Sequence, residues 1–295
     1  MEACSICPRN CRANRAEGKT GYCGVSSKIL AARAALHYWE EPCISGREGS
    51  GTVFFSGCNL RCIYCQNFQI AKNETGREIT VERLAEIFLE LQEKGANNIN
   101  LVTPSHYVPQ IREAIQQAKN GGLSLPIVYN CGGYEGVEAL QSLEGFVDIY
   151  LTDFKYMDVD LAQNYSKAGD YPQIAMAALK EMVRQQPRPV IEENGLMKRG
   201  VIVRHLLLPG AVKNAKAVVK YVYETYGNQV YLSLMSQYTP LAQVSGISPL
   251  NRKVTRREYE RLIDYTLEMG VINAYIQEGE TARESFIPEF DYEGL

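Results

Sequence analysis

Between residues 52 and 234, short β-branched and aromatic runs alternate with stretches whose apolar positions recur at helical spacing, which restricts the chain to a parallel sheet covered by helices. Six strands are expected: 52–57, 98–103, 125–129, 147–151, 201–206 and 230–234. The clearest helix runs from Val81 to Lys94, where Leu84, Ile87, Phe88 and Leu91 make one apolar face, and others span about 108–118, 171–186, 211–226 and 256–269. No repeat at a solenoid period interrupts the series. At 295 residues the chain has the size of one α/β barrel with a small appendage. Six right-handed βα units predict a partial (β/α)6 barrel, with functional groups gathered at the carboxyl ends of the strands.

Polar residues follow that rule. Directly after the expected strands come the loop Cys58 to Cys65, then Thr103-Pro104-Ser105-His106, Asn130-Cys131-Gly132-Gly133, Thr152-Asp153-Phe154-Lys155 and Ser236-Gln237-Tyr238, while Arg204 lies within the fifth strand. A cysteine-rich N-terminal segment, residues 1–45, precedes this body of residues 46–295. Nine cysteines is an odd number, and seven of them fall into two tight clusters. That pattern indicates metal ligation in a reducing compartment, the cytoplasm, rather than a disulfide framework. The formal charge of -3 gives no bulk electrostatic reason to expect nucleic acid as a partner. No stretch approaches the ~20 consecutive apolar residues that a membrane helix needs, so no membrane is expected either.

The first cluster, Cys58, Cys62 and Cys65, has spacings of three residues and then two. One loop can lay such a trio on three irons of a cubane, leaving the fourth iron open, and an open metal position implies chemistry rather than bracing. A zinc trio or buried thiols is the plainer alternative. Cys4, Cys7, Cys11 and Cys23 form the second cluster, in which four thiolates can close a zinc site or hold an auxiliary iron-sulfur cluster. Cys43 and Cys131 read as lone buried thiols, Cys131 at the catalytic face, and His37 and His205 as packed side chains. The C-terminal run from Tyr275 to Pro288 is too polar for a core helix; it closes the open side of the barrel, lines the pocket, or is a solvated tail.

With the aromatic Tyr64 just before its last cysteine, the loop resembles the CxxxCxφC motif of the radical S-adenosylmethionine enzymes. Within that superfamily the chain resembles the pyruvate formate-lyase activating enzymes and their uncharacterised relatives through Tyr64-Cys65-Gln66-Asn67, Asp153-Phe154-Lys155, and Arg204 with Leu208-Pro209-Gly210. The resemblance implies that Cys58, Cys62 and Cys65 hold a [4Fe-4S] cluster whose open iron takes S-adenosylmethionine. One electron then gives methionine and a 5'-deoxyadenosyl radical that abstracts hydrogen from a substrate. It also implies that Asp153, Lys155 and Arg204 meet the methionine end of S-adenosylmethionine, and that Tyr64, Thr103, Ser105, His106 and Gln237 contribute to the cofactor site. Two departures stand out. The family's Gly-Gly-Glu-Pro is replaced by Thr103-Pro104-Ser105-His106, and its ribose-side histidine by the Ser236-Gln237-Tyr238 region.

Three functions are compatible with these residues: a radical activase for a glycyl-radical enzyme partner, a stand-alone radical enzyme acting on a small molecule or peptide, and a non-catalytic metal-binding or electron-transfer protein. The first two require a small electron donor such as flavodoxin or ferredoxin.

Overall fold

The computed structural model describes residues 3–276 and 288–295. The elements in chain order are β1 (Ile29–His37), α1 (Pro42–Ser45), β2 (Ser50–Phe55), α2 (Phe68–Ala71), β3 (Arg77–Ile79), α3 (Val81–Glu93), β4 (Ile99–Val102), α4 (Val108–Asn120), β5 (Ile127–Cys131) and α5 (Val137–Gln141). They continue with β6 (Ile149–Asp153), α6 (Val159–Ser166), α7 (Tyr171–Gln185), β7 (Val190–Ile191), β8 (Met197–Leu206), α8 (Val212–Tyr226), β9 (Tyr231–Met235), α9 (Arg256–Glu268) and β10 (Ala274–Ile276).

The sheet order is β10-β9-β8-β6-β5-β4-β2-β1-β3, with β7 paired to β8. From β2 to β10 every neighbour along that path is parallel. The six expected strands are therefore the six central ones, wound as a partial barrel, but the described residues contain four more. Strand β1 runs antiparallel to β2 and β3 within residues expected to form only a packed appendage. Its alanine-rich sequence, Ile29-Leu30-Ala31-Ala32-Arg33-Ala34-Ala35, carries little β-propensity, and pairing with β2 overrides it. Of the C-terminal run, Tyr275 and Ile276 form β10, while residues 277–287 lie outside the described residues. Among the described residues no helix is long and apolar enough to cross a membrane.

Side-chain alternation along the strands divides the interior into two faces. Val53, Leu101, Tyr129, Tyr150 and Val201 pack with Leu84, Ile111, Ala175 and Val218 of the helices in one large core. On the opposite face Val128, Ile149, Leu151 and Ile202 meet Cys43 and Ile44 of α1. Helix α1 joins the end of β1 to the start of β2, so it plugs the amino-terminal end of the barrel and leaves the carboxyl ends open to function. The plug brings Glu40 and Glu41 into the interior, neither of them singled out from sequence.

Candidate active site and metal-binding loops

Strand β2 ends at Phe55, and Gly57 turns the chain with φ +89°, a conformation that favours glycine. A Cβ there would sit 2.8 Å from Val25 Cγ1 and 2.9 Å from the Cys23 carbonyl oxygen, so the close approach also demands glycine. The loop is then pinned from three sides. Cys58 N–H donates to the Cys23 carbonyl (3.2 Å), Asn59 Nδ2 donates to the Tyr134 carbonyl (2.7 Å), and Ile63 N–H donates to the Tyr165 carbonyl (2.9 Å).

Cys58, Cys62 and Cys65 line a cavity of about 150 Å3 at the carboxyl ends of the strands. Thr103, Ser105, Asn130, Asp153, Lys155 and Arg204 complete its polar wall. All of these but Asn130 are among the residues expected at the cofactor site, and they share one wall with the cysteine trio. Thr103 has φ +60°, strained for a β-branched residue, in the segment that replaces the family's Gly-Gly-Glu-Pro.

The charged groups form one network. Lys155 Nζ donates to Asp153 Oδ2 (2.6 Å) and Arg204 Nε donates to Asp153 Oδ1 (2.9 Å). Arg204 Nη1 also reaches Glu40 Oε2 (3.0 Å), and its Nη2 reaches Asn130 Oδ1 (2.5 Å). Glu40 Oε1 accepts from Asn100 (3.0 Å) and Asn130 (3.1 Å). Burial alone would raise Asp153 and lower Lys155 and Arg204. Their mutual attraction wins, holding the carboxyl below its ordinary value and both cations above theirs. All three therefore stay charged. Glu41, beside them, is pushed up by burial and only partly held down by Arg204.

Three other residues expected at the cofactor site are absent from the cavity wall. Tyr64 points its hydroxyl at Tyr156 (2.7 Å). His106 is buried behind the loop, with Nε2 2.8 Å from the Ser56 carbonyl and its own carbonyl accepting from Arg15. Burial pushes its imidazole down to about 3, so it is neutral, and the Ser56 carbonyl places the proton on Nε2. Gln237 contributes its backbone carbonyl to Gln66 Nε2 (3.2 Å), and Tyr238 is core, donating to the Leu250 carbonyl (2.7 Å). The side chain of Cys131 turns to Thr152 Oγ1 (3.4 Å).

Glu135 was not singled out from sequence. It is buried, accepts from Ser105 Oγ (2.7 Å) and Tyr129 (2.9 Å), and burial raises its carboxyl above the ordinary range. Glu135 thus holds the Thr103-Pro104-Ser105-His106 segment through Ser105, from the next strand's loop. The only sequence signal was the glycine pair just before it, Gly132-Gly133, which turns the chain back toward β4.

The donor set suits a cationic metal core. Burial, then the neighbouring Cys62 and Cys58, push the Cys65 thiol up to about 12. Three thiolates cannot share that space unless positive charge compensates them, which iron ions supply. Among the described residues no three Cys, His, Asp or Glu side chains surround a single-ion position. A cubane needs no such convergence, because each thiolate takes an iron of its own.

The N-terminal cysteines occupy the same mouth from outside. Arg9, between Cys7 and Cys11, donates to the carbonyls of Asn59 (2.8 Å), Ser166 (3.0 Å) and Lys167 (2.5 Å). Arg15 donates to the carbonyls of His106 (2.6 Å) and Ser26 (2.5 Å). A Cβ on Gly21 would lie 2.7 Å from Cys11 Sγ and 3.8 Å from Cys23 Sγ, so only glycine leaves room between those sulfurs.

A parallel sheet whose first strand hands three cysteines to a polar cavity at the barrel mouth defines a class, and sequence comparison names it. The Radical SAM superfamily model matches residues 52–210, and the chain belongs to that superfamily. Family membership brings a [4Fe-4S] cluster and S-adenosylmethionine as cofactors. The chain is 26% identical over 273 residues to the uncharacterized protein MJ0674 of Methanocaldococcus jannaschii, covering 88% of this chain and 73% of that one. It is 24% identical over 178 residues to the pyruvate formate-lyase-activating enzyme of Staphylococcus epidermidis, covering 57% of this chain and 65% of the enzyme, just under two thirds of its length. Among solved structures, methylornithine synthase superposes with a TM-score of 0.51 at 14% identity, over 72% of this chain and 60% of that one. The hydrogenase maturase HydG superposes with a TM-score of 0.51 at 15% identity, over 72% and 48%. These superpositions bear on the fold alone.

Proposed function

We propose that Cys58, Cys62 and Cys65 hold the [4Fe-4S] cluster and that Asp153, Lys155 and Arg204 receive the methionine end of S-adenosylmethionine. The observation that carries this reading is the cavity where the three cysteines and this charged trio face one another. When bound, the cluster supplies the electron that cleaves the sulfonium and so starts hydrogen abstraction. The chain's own residues bind and orient. Arg204 and Lys155 present positive charge to the carboxylate, Asp153 presents negative charge to the ammonium, and the strained Thr103 backbone turns the β4 end into the cavity. Leu60 and Val102 limit water at the apolar side of the wall.

For the substrate, the reading best supported is a glycine of a glycyl-radical enzyme partner, with flavodoxin or ferredoxin as electron donor. Its support is the partial similarity to an activating enzyme. Of the two metals expected there, zinc or iron-sulfur, the N-terminal segment would carry an iron-sulfur centre on Cys4, Cys7, Cys11 and Cys23, since among the described residues no three of these side chains surround a single-ion position. Crowding around Gly21 Cα supports that part, and burial, the dominant effect, pushes Cys7 up to about 12, so a metal would have to displace its proton.

The test is anaerobic reconstitution, reduction, and measurement of 5'-deoxyadenosine. Wild type should form it, and the variant with all three of Cys58, Cys62 and Cys65 changed to alanine should not. Equal product from that variant would refute the cluster assignment. Deuterium transfer from a glycine-labelled partner peptide into 5'-deoxyadenosine would support activation, whereas transfer only from small molecules would favour the stand-alone enzyme.

A further inference from the structure

Four side chains connect in a line behind the cysteine loop. The Tyr64 hydroxyl is 2.7 Å from that of Tyr156, which is 2.8 Å from Ser166 Oγ, and Ser166 Oγ is 2.9 Å from Cys62 Sγ. Tyr156 and Ser166 are fully buried and Tyr64 is only 7% exposed, so water does not compete for these bonds.

Proton counting fixes the direction. A cysteine that ligates iron has no proton, so Cys62 can only accept. Ser166 has one hydroxyl hydrogen and spends it on Cys62, so its oxygen must accept from Tyr156. Tyr156 is then committed in turn, and Tyr64 must donate to Tyr156.

Ser166 is also held in place. It is the last residue of α6, where Lys167 turns left-handed with φ +51°, and Arg9 grips the carbonyls of both residues. The neighbouring Tyr165 carbonyl accepts from Ile63 of the loop. These contacts fix the backbone from which the hydroxyl reaches the sulfur.

We infer that the directed chain Tyr64→Tyr156→Ser166→Cys62 sets the reduction potential of the catalytic cluster, with Ser166 as its tuning residue. The inference rests on the reading of Cys58, Cys62 and Cys65 as cluster ligands. Reduction adds one electron, taken from a chemical reductant or the donor protein, and part of that charge falls on the ligating sulfurs. A donor aimed at Cys62 Sγ stabilises the reduced form more than the oxidised one and raises the potential. Each hydroxyl behind it polarises the next and strengthens the last bond. No proton is transferred, and Ser166 and both tyrosines keep theirs.

The experiment is an EPR-monitored redox titration of the full chain, reconstituted anaerobically, with iron and sulfide per chain measured for every variant. Wild type, Ser166→Ala, Ser166→Thr and Tyr156→Phe are compared. In Ser166→Ala the ratio of reduced to oxidised cluster at a fixed potential should fall about tenfold, a negative shift of about 59 mV for a one-electron couple. Ser166→Thr, which keeps a hydroxyl, should stay within about threefold of wild type, by the same conversion. Tyr156→Phe should move the same way as Ser166→Ala but less. Full iron content with an unchanged or more positive midpoint in Ser166→Ala would overturn the inference and leave the ligand assignment standing. Should Ser166→Ala fail to take up iron, Tyr156→Phe decides, and an unmoved midpoint there overturns it equally. A wild-type chain that takes up no cluster would overturn the ligand assignment and this inference with it.

Discussion

Replacing Arg204 by alanine separates two roles that the sequence could not distinguish. Its guanidinium carries ion pairs to Glu40 and Asp153, and the three side chains are 15%, 10% and 20% exposed. Removing one partner of such a pair costs about 3–5 kcal/mol, mostly because the other charge is left buried and uncompensated. Asp153 keeps Lys155, whereas Glu40 keeps only two amide donors, so Glu40 bears most of the loss. For a chain of this size, about 2 °C per kcal/mol puts the fall in Tm at roughly 6–10 °C. Neutralising the stranded carboxylate should recover part of it. We expect Glu40→Gln to cost about 1.5–3 kcal/mol in wild type and to be stabilising in the Arg204→Ala background. Urea unfolding of the four proteins of this cycle, without cofactor, gives the coupling directly. If the Glu40→Gln cost is the same in both backgrounds within about 0.5 kcal/mol, the ion pair carries no energy and the reasoning fails. In the double variant S-adenosylmethionine binding should be weaker by roughly ten- to a hundredfold, separating recognition from folding.

Gly133 has φ +79°, and a Cβ there would run into the Asp153 carbonyl, so Gly133→Ala should displace Asp153 and lower S-adenosylmethionine affinity as well as Tm; wild-type affinity in this variant would contradict the geometry. Burial drives His205 down to about 4, with the Phe154 carbonyl only partly opposing it. Its folded value lies below its unfolded value, so its contribution is present above about pH 6.5 and is lost as pH falls toward 4. Urea titrations between pH 6 and 4 should therefore show a slope about 1.4 kcal/mol per pH unit shallower in His205→Asn than in wild type. Changing Cys7 and Cys11 to serine should remove one metal centre while the cluster at Cys58, Cys62 and Cys65 persists. Unchanged total metal would argue against the N-terminal site.

The central sheet was legible because parallel strands buried on both faces read as continuous apolar runs, as in Val53-Phe54-Phe55 and Val201-Ile202-Val203, all buried. The cysteine loop was legible because its ligands are local, eight consecutive positions from Cys58 to Cys65. Asp153, Lys155 and Arg204 line the cavity because each sits at or near a strand's carboxyl end. What stayed hidden depends on contacts between distant segments. Glu40 pairs with Arg204 across 164 residues, Ser166 meets Cys62 across 104, and Glu135 meets Ser105 across 30. No periodicity or spacing encodes such pairs. Tyr64 and His106 were misplaced for a related reason: their residue types suit a cofactor site, but burial behind the loop is decided by Tyr156 and Arg15, which the motif does not mention.

The grip of Arg9 has a consequence in time. Arg9 is synthesised well before its acceptor on Lys167, which follows 158 residues later. At 5–20 residues per second that acceptor is about 8–30 s behind. During that interval the N-terminal thiols have only part of their docking surface, so full seating of their segment, and closure of any metal site within it, comes late in the protein's biosynthesis.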